Sequence, residues 1–143
     1  MIMIRAFFDG ACGPHNPGGT TSYGAVIYLE DTTHTISELF IPPKNNPRML
    51  SNNVGEYAGL LSVLKYLKNC NFQENEIEIC GDSNLVVQQM SGKWKIKKGL
   101  YVALALEAKE LMKEFTNTNL RWIPREQNTV ADKLSKLVQK GGE

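Results

Sequence analysis

The sequence contains near its start the run IMIRAFFDGACGPHNPGG (residues 2–19), in which apolar, β-prone residues give way to glycine and proline. Residues 2–9 predict a first strand that ends at Asp9, and residues 10–19 predict a glycine-rich loop behind it. Asp9 would then lie at the C-terminal end of a strand, the edge where open α/β sheets bind ligands. The glycines that follow would let the backbone approach a partner closely.

The elements that follow this strand predict the fold class. Residues 22–29 and 33–41 are two more strand-like runs, whose close spacing favours an antiparallel meander. Helical spacing begins after Ser51. The order then continues with a strand over 77–80, a helix capped by Ser83, a helix over 100–115, a strand over 119–123 and a last helix around 130–138. The order β-β-β-α-β-α-α-β-α predicts an α/β fold, a five-stranded mixed sheet flanked by helices. Its strands over 2–9 and 76–82 should pair in parallel.

Length and composition exclude several classes of protein. The 143 residues fit one domain (1–143), and contents of 42% hydrophobic and 22% charged residues exclude a disordered or membrane protein. The apolar N-terminus is interpreted as a first strand, so a secretory signal is not expected. Three cysteines without a C-x-x-C pair favour free thiols and a cytoplasmic location. Because the formal charge is only +1, nucleic-acid binding would need a local patch, such as the lysine-rich stretch at 93–98.

Four acidic residues stand where the predicted fold would bring them together: Asp9 and Asp82 end neighbouring strands, Glu56 lies in the first turns of a helix, and Asp132 lies near the start of the last helix. Like charges this close either raise one pKa or hold a cation. Oxygen ligands suit Mg²⁺. Two such ions about 3.5–4 Å apart can activate water and stabilise the leaving oxygen of a phosphodiester, so no side-chain nucleophile is needed.

Each acidic residue also has a plainer interpretation when it is taken alone. Asp9 before Gly10 is typical of a turn, and Glu56 is typical of an acidic residue near a helix N-terminus. Asp82 with Ser83 could cap a helix, and Asp132 could be a solvated helix residue. The joint placement of all four at one sheet edge favours the metal-binding interpretation.

These residues stand in four segments that resemble, in the same order, the type 1 ribonuclease H family. The segments are FFDGACGPHNPGGTTSYGA (7–25), SNNVGEYAGLLSVL (51–64), EICGDSNLVVQQMSGKW (78–94) and WIPREQNTVADKLS (122–135), and they cover nearly the whole chain. The short WK-type segment and the IPREQN-type loop resemble the archaeal-type members most. The resemblance implies the ribonuclease H-like fold and a metal-dependent endonuclease that cuts the RNA strand of RNA–DNA hybrids, leaving 5′-phosphate and 3′-hydroxyl ends.

The resemblance also implies roles for the carboxylates and for the partners. Asp9 would bridge two Mg²⁺ ions, Asp132 would help hold the ion that activates water, and Glu56 and Asp82 would hold the ion at the leaving group. Mn²⁺ should substitute for Mg²⁺. The expected partner is an RNA–DNA hybrid, bound by a monomer with no membrane attachment and no obligate protein partner.

Further positions are expected to touch the nucleic acid. The Cys12–Gly13 backbone and four asparagine amides match family positions in the minor groove, where 2′-hydroxyls distinguish RNA from DNA. Helix capping is the alternative interpretation of Asn52 and Asn53, and for Asn52 it is equally good. The full set of expected contacts is Gly10, Cys12, Gly13, Asn16, Asn52, Asn53, Asn84, Trp94, Lys95, Arg125 and Asn128.

The chain departs from the family pattern at three places. The last loop, residues 124–128, has no histidine, so Arg125 and Glu126 are the candidates to replace it, whereas His15 is interpreted as a surface residue. The basic helical handle is absent. Trp94 could stack on a deoxyribose or cover the core edge, with the core favoured, and the lysines of 93–98 would bind phosphates. We expect no attached hybrid-binding domain, and binding is then expected to be modest and salt-sensitive.

Three rival functions are less well supported by the sequence. A resolvase or transposase of the same fold would need more chain than 143 residues. A non-catalytic nucleic-acid binding module would have no need for four intact carboxylates. A purely structural domain leaves the glycine run behind Asp9 unexplained. The sequence therefore favours the nuclease.

Overall fold

A computed structural model describes residues 3–141 of the chain. Within them the elements follow the predicted order, as β1 (Ile4–Gly13), β2 (Thr20–Tyr28), β3 (Thr33–Leu39), α1 (Asn52–Asn69), β4 (Ile77–Gly81), α2 (Asn84–Met90), α3 (Val102–Met112), β5 (Thr118–Trp122) and α4 (Thr129–Gly141). A short 3₁₀ turn, Arg125–Gln127, precedes α4. The predicted α/β fold with a five-stranded mixed sheet is confirmed.

The sheet has the strand order β3-β2-β1-β4-β5. β1 pairs with β2 in antiparallel and with β4 in parallel orientation, and β4 pairs in parallel with β5. Parallel neighbours need a long crossover, which α1 provides between β3 and β4 and which α2 and α3 provide between β4 and β5. The predicted parallel pairing of the first and fourth strands is confirmed, and it places β1 at the centre of the sheet.

Helices cover both faces of the sheet. α1 packs on β1 and β2 and is itself covered by α3, whereas α4 packs on β1, β2 and β3 from the other side. The core lies between the sheet and α1, where Phe8, Ile79, Tyr57 and Leu64 are fully buried. Burying one such side chain contributes about 1.5–3 kcal/mol, so α1 is held mainly by its packing. No helix in residues 3–141 combines the length and apolarity needed to cross a bilayer.

The first strand is longer than predicted. It runs four residues past Asp9 to Gly13, which pairs with Thr20, so the loop that joins β1 to β2 is confined to residues 14–19. The glycine at position 10 serves the packing of α1, because a Cβ there would lie 2.2 Å from the Glu56 backbone nitrogen. The partner that this glycine lets approach is therefore a helix of the same domain.

Candidate functional site

Three of the four predicted carboxylates meet at one edge of the sheet. One oxygen each from Asp9, Glu56 and Asp82 can be chosen so that all lie within 4.8 Å of one another. The β1–β4 register explains two of them, since Phe8 is opposite Gly81 and the residue that follows each of these two is an aspartate. The sequence prediction that these strand ends converge is confirmed.

Glu56 reaches the cluster because α1 touches β1 backbone to backbone. The helix begins after Ser51, whose side chain accepts a hydrogen bond from the Val54 amide at 3.1 Å. A Cβ on Gly10 would collide with Gly55 and Glu56, and a Cβ on Gly55 would lie 2.9 Å from the Ser22 carbonyl oxygen. Only glycine at positions 10 and 55 allows this contact, which places the first turns of α1 beside Asp9.

The cluster is buried and electrostatically unfavourable. Asp9 and Glu56 are each only 4% exposed. Burial, assisted by the negative charge of Asp82, raises the pKa of Asp9 to about 7. Burial and then the charges of Asp9 and Asp82 raise the pKa of Glu56 well above its ordinary value. Within the described residues, Glu56 Oε2 is buried without a hydrogen-bond partner.

A divalent metal ion fits this arrangement. The donors are all carboxylate oxygens, which hard ions such as Mg²⁺ prefer. A cation would offset the mutual repulsion of the three carboxylates and would give the orphaned Glu56 oxygen a partner. The residues placed to hold the ion are Asp9, Glu56 and Asp82.

Asn128 fixes the orientation of Asp82 from behind. Its Nδ2 donates to Asp82 Oδ2 at 3.0 Å and to the Phe8 carbonyl oxygen at 2.9 Å. Asn128 is only 1% exposed, so its amide is committed to these two acceptors. The expected nucleic-acid contact of Asn128 does not fit this position, because burial keeps its side chain from the surface. Trp122 Nε1 also donates to the Asp82 carbonyl oxygen, at 3.2 Å.

Asp132 lines the same cavity but lies outside the cluster of three. The cavity has a volume of about 230 Å³. Lys136 Nζ lies 3.1 Å and Arg125 Nη2 lies 4.0 Å from Asp132 Oδ1. Burial alone would raise the pKa of Asp132, but a hydrogen bond from Lys136, a hydrogen bond with the Asp9 side chain and the charges of Lys136 and Arg125 together lower that pKa. Asp132 is therefore the carboxylate already matched with cations, in contrast to Asp9 and Glu56.

Lys136 is a site residue that the sequence analysis missed. It lines the cavity with Asp132 and stands one helical turn after it. Residues i and i+4 on a helix are neighbours, and an acidic residue before a basic one is the favourable order. That spacing was visible in the sequence once Asp132 had been placed on a helix.

The expected nucleic-acid contacts divide into two groups. Those that line the carboxylate cavity are Gly10, Cys12, Asn52 and Arg125, while Gly13 lines an adjoining groove. Asn16 lies at the rim, where its Oδ1 accepts from the Asn52 backbone amide at 2.9 Å. Asn53 and Asn84 are exposed. The capping interpretation of Asn52 and Asn53 is wrong, because Ser51 caps α1. Ser83 caps α2 as predicted.

The lysine-rich stretch at 93–98 lies apart from this cavity. Trp94 is 47% exposed, so the interpretation that it covers the core is wrong, and Ile96 packs against the core instead. The segment is anchored by buried Gln89, whose Nε2 donates to the Lys95 carbonyl oxygen at 3.1 Å. His15 and Glu126 are exposed and neither lines the cavity. Contacts of Trp94 and Lys95 with nucleic acid stay predictions.

Comparison with known proteins identifies the family. The family model described as Reverse transcriptase-like matches residues 8–138. The bifunctional protein Rv2228c of Mycobacterium tuberculosis is 37% identical over 134 residues, which are 94% of this chain and 34% of that protein. Ribonuclease HI of Halobacterium salinarum is 29% identical over 132 residues, 92% of this chain and 62% of that protein. The chain thus spans about a third of the length of the mycobacterial relative.

Solved structures agree with this comparison. The N-terminal RNase H domain of Rv2228c superposes with a TM-score of 0.78 at 32% identity, covering 93% of this chain and 95% of that one. LC11-RNase H1, isolated from compost by a metagenomic approach, superposes with a TM-score of 0.82 at 30% identity and covers both chains completely. It has also been solved in complex with an RNA/DNA hybrid. With its four motifs, its fold and these relatives in agreement, the chain belongs to the type 1 ribonuclease H family and resembles the archaeal members among others.

Proposed function

We propose that this chain is a metal-dependent endonuclease that hydrolyses the RNA strand of RNA–DNA hybrids. The observation that carries the proposal is the convergence of buried Asp9 and Glu56 with Asp82 at the sheet edge. Clustering of buried like charges is costly, and such perturbed groups occur mainly at functional sites. The complex of LC11-RNase H1 with an RNA/DNA hybrid supports the choice of substrate.

The proposed cofactor is a pair of Mg²⁺ ions, for which Mn²⁺ substitutes. Asp9, Glu56 and Asp82 would hold one ion, and Asp9 with Asp132 would hold the second. When bound, such ions supply an activated water and charge stabilisation for the leaving oxygen, and the proposed products carry 5′-phosphate and 3′-hydroxyl ends.

The chain's own residues orient and neutralise the reacting groups. Asn128 holds Asp82 in one orientation through its hydrogen bond to Oδ2. Arg125 lines the cavity and has 74% of its side chain exposed, so we assign it to a phosphate of the RNA strand. We assign the Cys12–Gly13 backbone and the amides of Asn16 and Asn52 to ribose 2′-hydroxyls, with Asn53 and Asn84 further along the strand.

The remaining parts of the proposal concern the state of the protein. We propose a monomer that works in the cytoplasm without an obligate protein partner. The three cysteines are unpaired, as a reducing compartment requires.

The proposed function is tested by cleavage of a labelled RNA–DNA hybrid with and without Mg²⁺, alongside single-stranded RNA, duplex RNA and duplex DNA. Asp82→Asn is the variant expected to be inactive, because it removes one carboxylate of the proposed metal site. Its amide oxygen can still accept the hydrogen bond from Asn128, so the local structure should be kept. Asp31→Asn, on an exposed turn, is the matched control. We expect Mg²⁺-dependent cutting of the hybrid's RNA strand alone, lost in Asp82→Asn and kept in Asp31→Asn. Hybrid binding without any cutting in Mg²⁺ or Mn²⁺ would instead support the non-catalytic binding module.

A further inference from the structure

A second groove opens from the carboxylate cavity along the end of the β1–β2 hairpin. It has a volume of about 560 Å³ and is formed by residues 11–14, Thr20, Lys136 and Gln139. The two cavities share Ala11, Cys12 and Lys136 as lining residues, so they are direct neighbours. A polymer bound with one linkage at the carboxylates can therefore extend into this second groove. We call it the side groove.

The Gln139 side chain in the side groove has a defined amide orientation. Its Nε2 lies 3.0 Å from the Thr20 carbonyl oxygen and 2.7 Å from Ser22 Oγ. A carbonyl oxygen can only accept, so the group that faces it must be the amide NH₂. Ser22 Oγ in turn donates its proton to the Ser135 carbonyl oxygen and can only accept from Gln139.

Both protons of the Gln139 amide are thus committed, and its remaining polar atom is Oε1. This oxygen lies on the Gly13 side, 3.7 Å from where a Cβ on Gly13 would be placed. No residue of the described chain, 3–141, donates a hydrogen bond to it. Gln139 therefore presents a fixed acceptor to the side groove, and it cannot turn to become a donor without losing both anchors.

An acceptor held in one orientation beside the side groove can take a hydrogen bond from a hydroxyl group of a bound strand. We infer that Gln139 Oε1 accepts a hydrogen bond from the 2′-hydroxyl of one RNA nucleotide, which lies in the side groove and is not next to the cleaved linkage. This inference rests on the proposed function. A deoxyribose at that place has no such proton to give. Lys136, at the junction of the two cavities, is 43% exposed and lies where the intervening phosphate would pass. Gln139 is thereby a specificity-determining residue that the sequence motifs do not include.

The test combines variants of the protein with variants of the substrate. A set of RNA–DNA hybrids carries a single 2′-deoxynucleotide at each successive RNA position, and binding is measured by fluorescence anisotropy in EDTA, where no cleavage interferes. For the unmodified protein we expect affinity to fall at the position that Gln139 contacts by about 2- to 12-fold, the value of one neutral hydrogen bond, in addition to any falls at the positions assigned to the Cys12–Gly13 backbone and the asparagine amides. Gln139→Leu should bind the all-ribose hybrid more weakly by a similar factor. It should lose sensitivity at that position alone.

A second variant keeps the test decisive if Gln139→Leu disturbs the docking of α4. Gly13→Ala places a methyl group 3.7 Å from Oε1, in ordinary contact, and leaves the Thr20 and Ser22 anchors intact. It should remove the sensitivity at the position that Gln139→Leu also affects, by blocking access to Oε1, while the sensitivity assigned to the Cys12–Gly13 backbone remains. Lys133→Ala, exposed on α4, is the matched control and should keep the full pattern.

The outcomes separate this inference from the proposed function. Unchanged 2′-deoxy sensitivity at every position in both Gln139→Leu and Gly13→Ala overturns the role of Gln139 while leaving hybrid cleavage in place. A uniform loss of affinity without any positional change also overturns it, since that pattern indicates a structural effect. Failure of the unmodified protein both to bind any hybrid in EDTA and to cut a hybrid in Mg²⁺ overturns the proposed function itself.

Discussion

Replacing Asp9 by asparagine should make the metal-free protein more stable while it abolishes activity. The Asp9 carboxylate is 4% exposed, and burial with the nearby Asp82 charge raises its pKa from 3.8 to about 7. Asparagine has nearly the same shape and removes the charge. Its side-chain oxygen can still accept the hydrogen bond that Asp9 Oδ1 accepts from the Gly10 amide at 2.9 Å. The substitution therefore removes repulsion without opening a cavity.

The magnitude follows from the linkage between pKa and stability. Above about pH 7 a carboxyl group with this pKa destabilises the folded state by about 4 kcal/mol. Burying an asparagine amide that lacks some of its hydrogen-bond partners would cost about 1–2 kcal/mol, which offsets part of this gain in stability. The net gain for Asp9→Asn is then about 2–3 kcal/mol, or about 6–9 °C in Tm for a chain of this size.

The pH dependence has a definite sign. Because the folded-state pKa of Asp9 is raised, the folded protein holds its proton more tightly than the unfolded chain does. The penalty is absent below the unfolded pKa of 3.8, grows as pH rises, and is complete once pH exceeds about 7. The advantage of Asp9→Asn should therefore vanish by about pH 5 and be largest at about pH 8.

The assay is thermal and urea unfolding in EDTA at about pH 5 and about pH 8, with Asp31→Asn as the control for loss of an exposed carboxylate. The reasoning is refuted if Asp9→Asn has the same Tm as the unmodified protein at about pH 8, or if its advantage is equally large at both pH values.

Three further outcomes follow from the site. Asn128→Ala should lower hybrid cleavage by about 10- to 100-fold and destabilise by about 1–3 kcal/mol, because Asp82 and the Phe8 carbonyl lose their donor; Asn128→Asp retaining full activity would contradict this. Gly10→Ala should lower the free energy of unfolding by about 3 kcal/mol or more, since its Cβ would lie 2.2 Å from the Glu56 backbone nitrogen. It should also abolish Mg²⁺ binding measured by calorimetry. An unchanged Mg²⁺ affinity would contradict the role of the backbone contact in placing Glu56. Mg²⁺ at about 100 times its Kd should stabilise the protein by about 2.7 kcal/mol at pH 8, measured as a rise in Tm. Its affinity should be weaker at about pH 5, where protons compete for Asp9 and Glu56, and a pH-independent affinity would contradict the cluster as the binding site.

The parts of the site that depend on local periodicity were predictable from the sequence. Apolar runs that end in Asp9 and Asp82, on strands joined by one helical crossover, are enough to bring two carboxylates to one edge. The family motifs added Glu56 and Asp132. Lys136 could also have been predicted, because it follows Asp132 by one helical turn.

The parts of the site that depend on tertiary contacts could not be predicted from the sequence. A glycine after Asp9 looks the same in a loop as in a strand crossed by a helix, so β1 was predicted too short. Asn128 stands in a polar loop that is typical of a surface, and only the folding of that loop behind Asp82 buries its amide. The orientation of Gln139 depends on Thr20 and Ser22, more than a hundred positions away in the sequence.

The contact between β1 and α1 has a consequence for how this domain can change. Asp9 and Glu56 are set relative to each other by two backbones in touch at Gly10 and Gly55, with no side chain between them. Repacking of Phe8, Leu64 or other core residues would alter the free energy of unfolding well before it alters the separation of these two carboxylates. Substitutions can therefore accumulate in much of the interior while the spacing of the two carboxylates stays the same, whereas Gly10 and Gly55 do not tolerate a side chain.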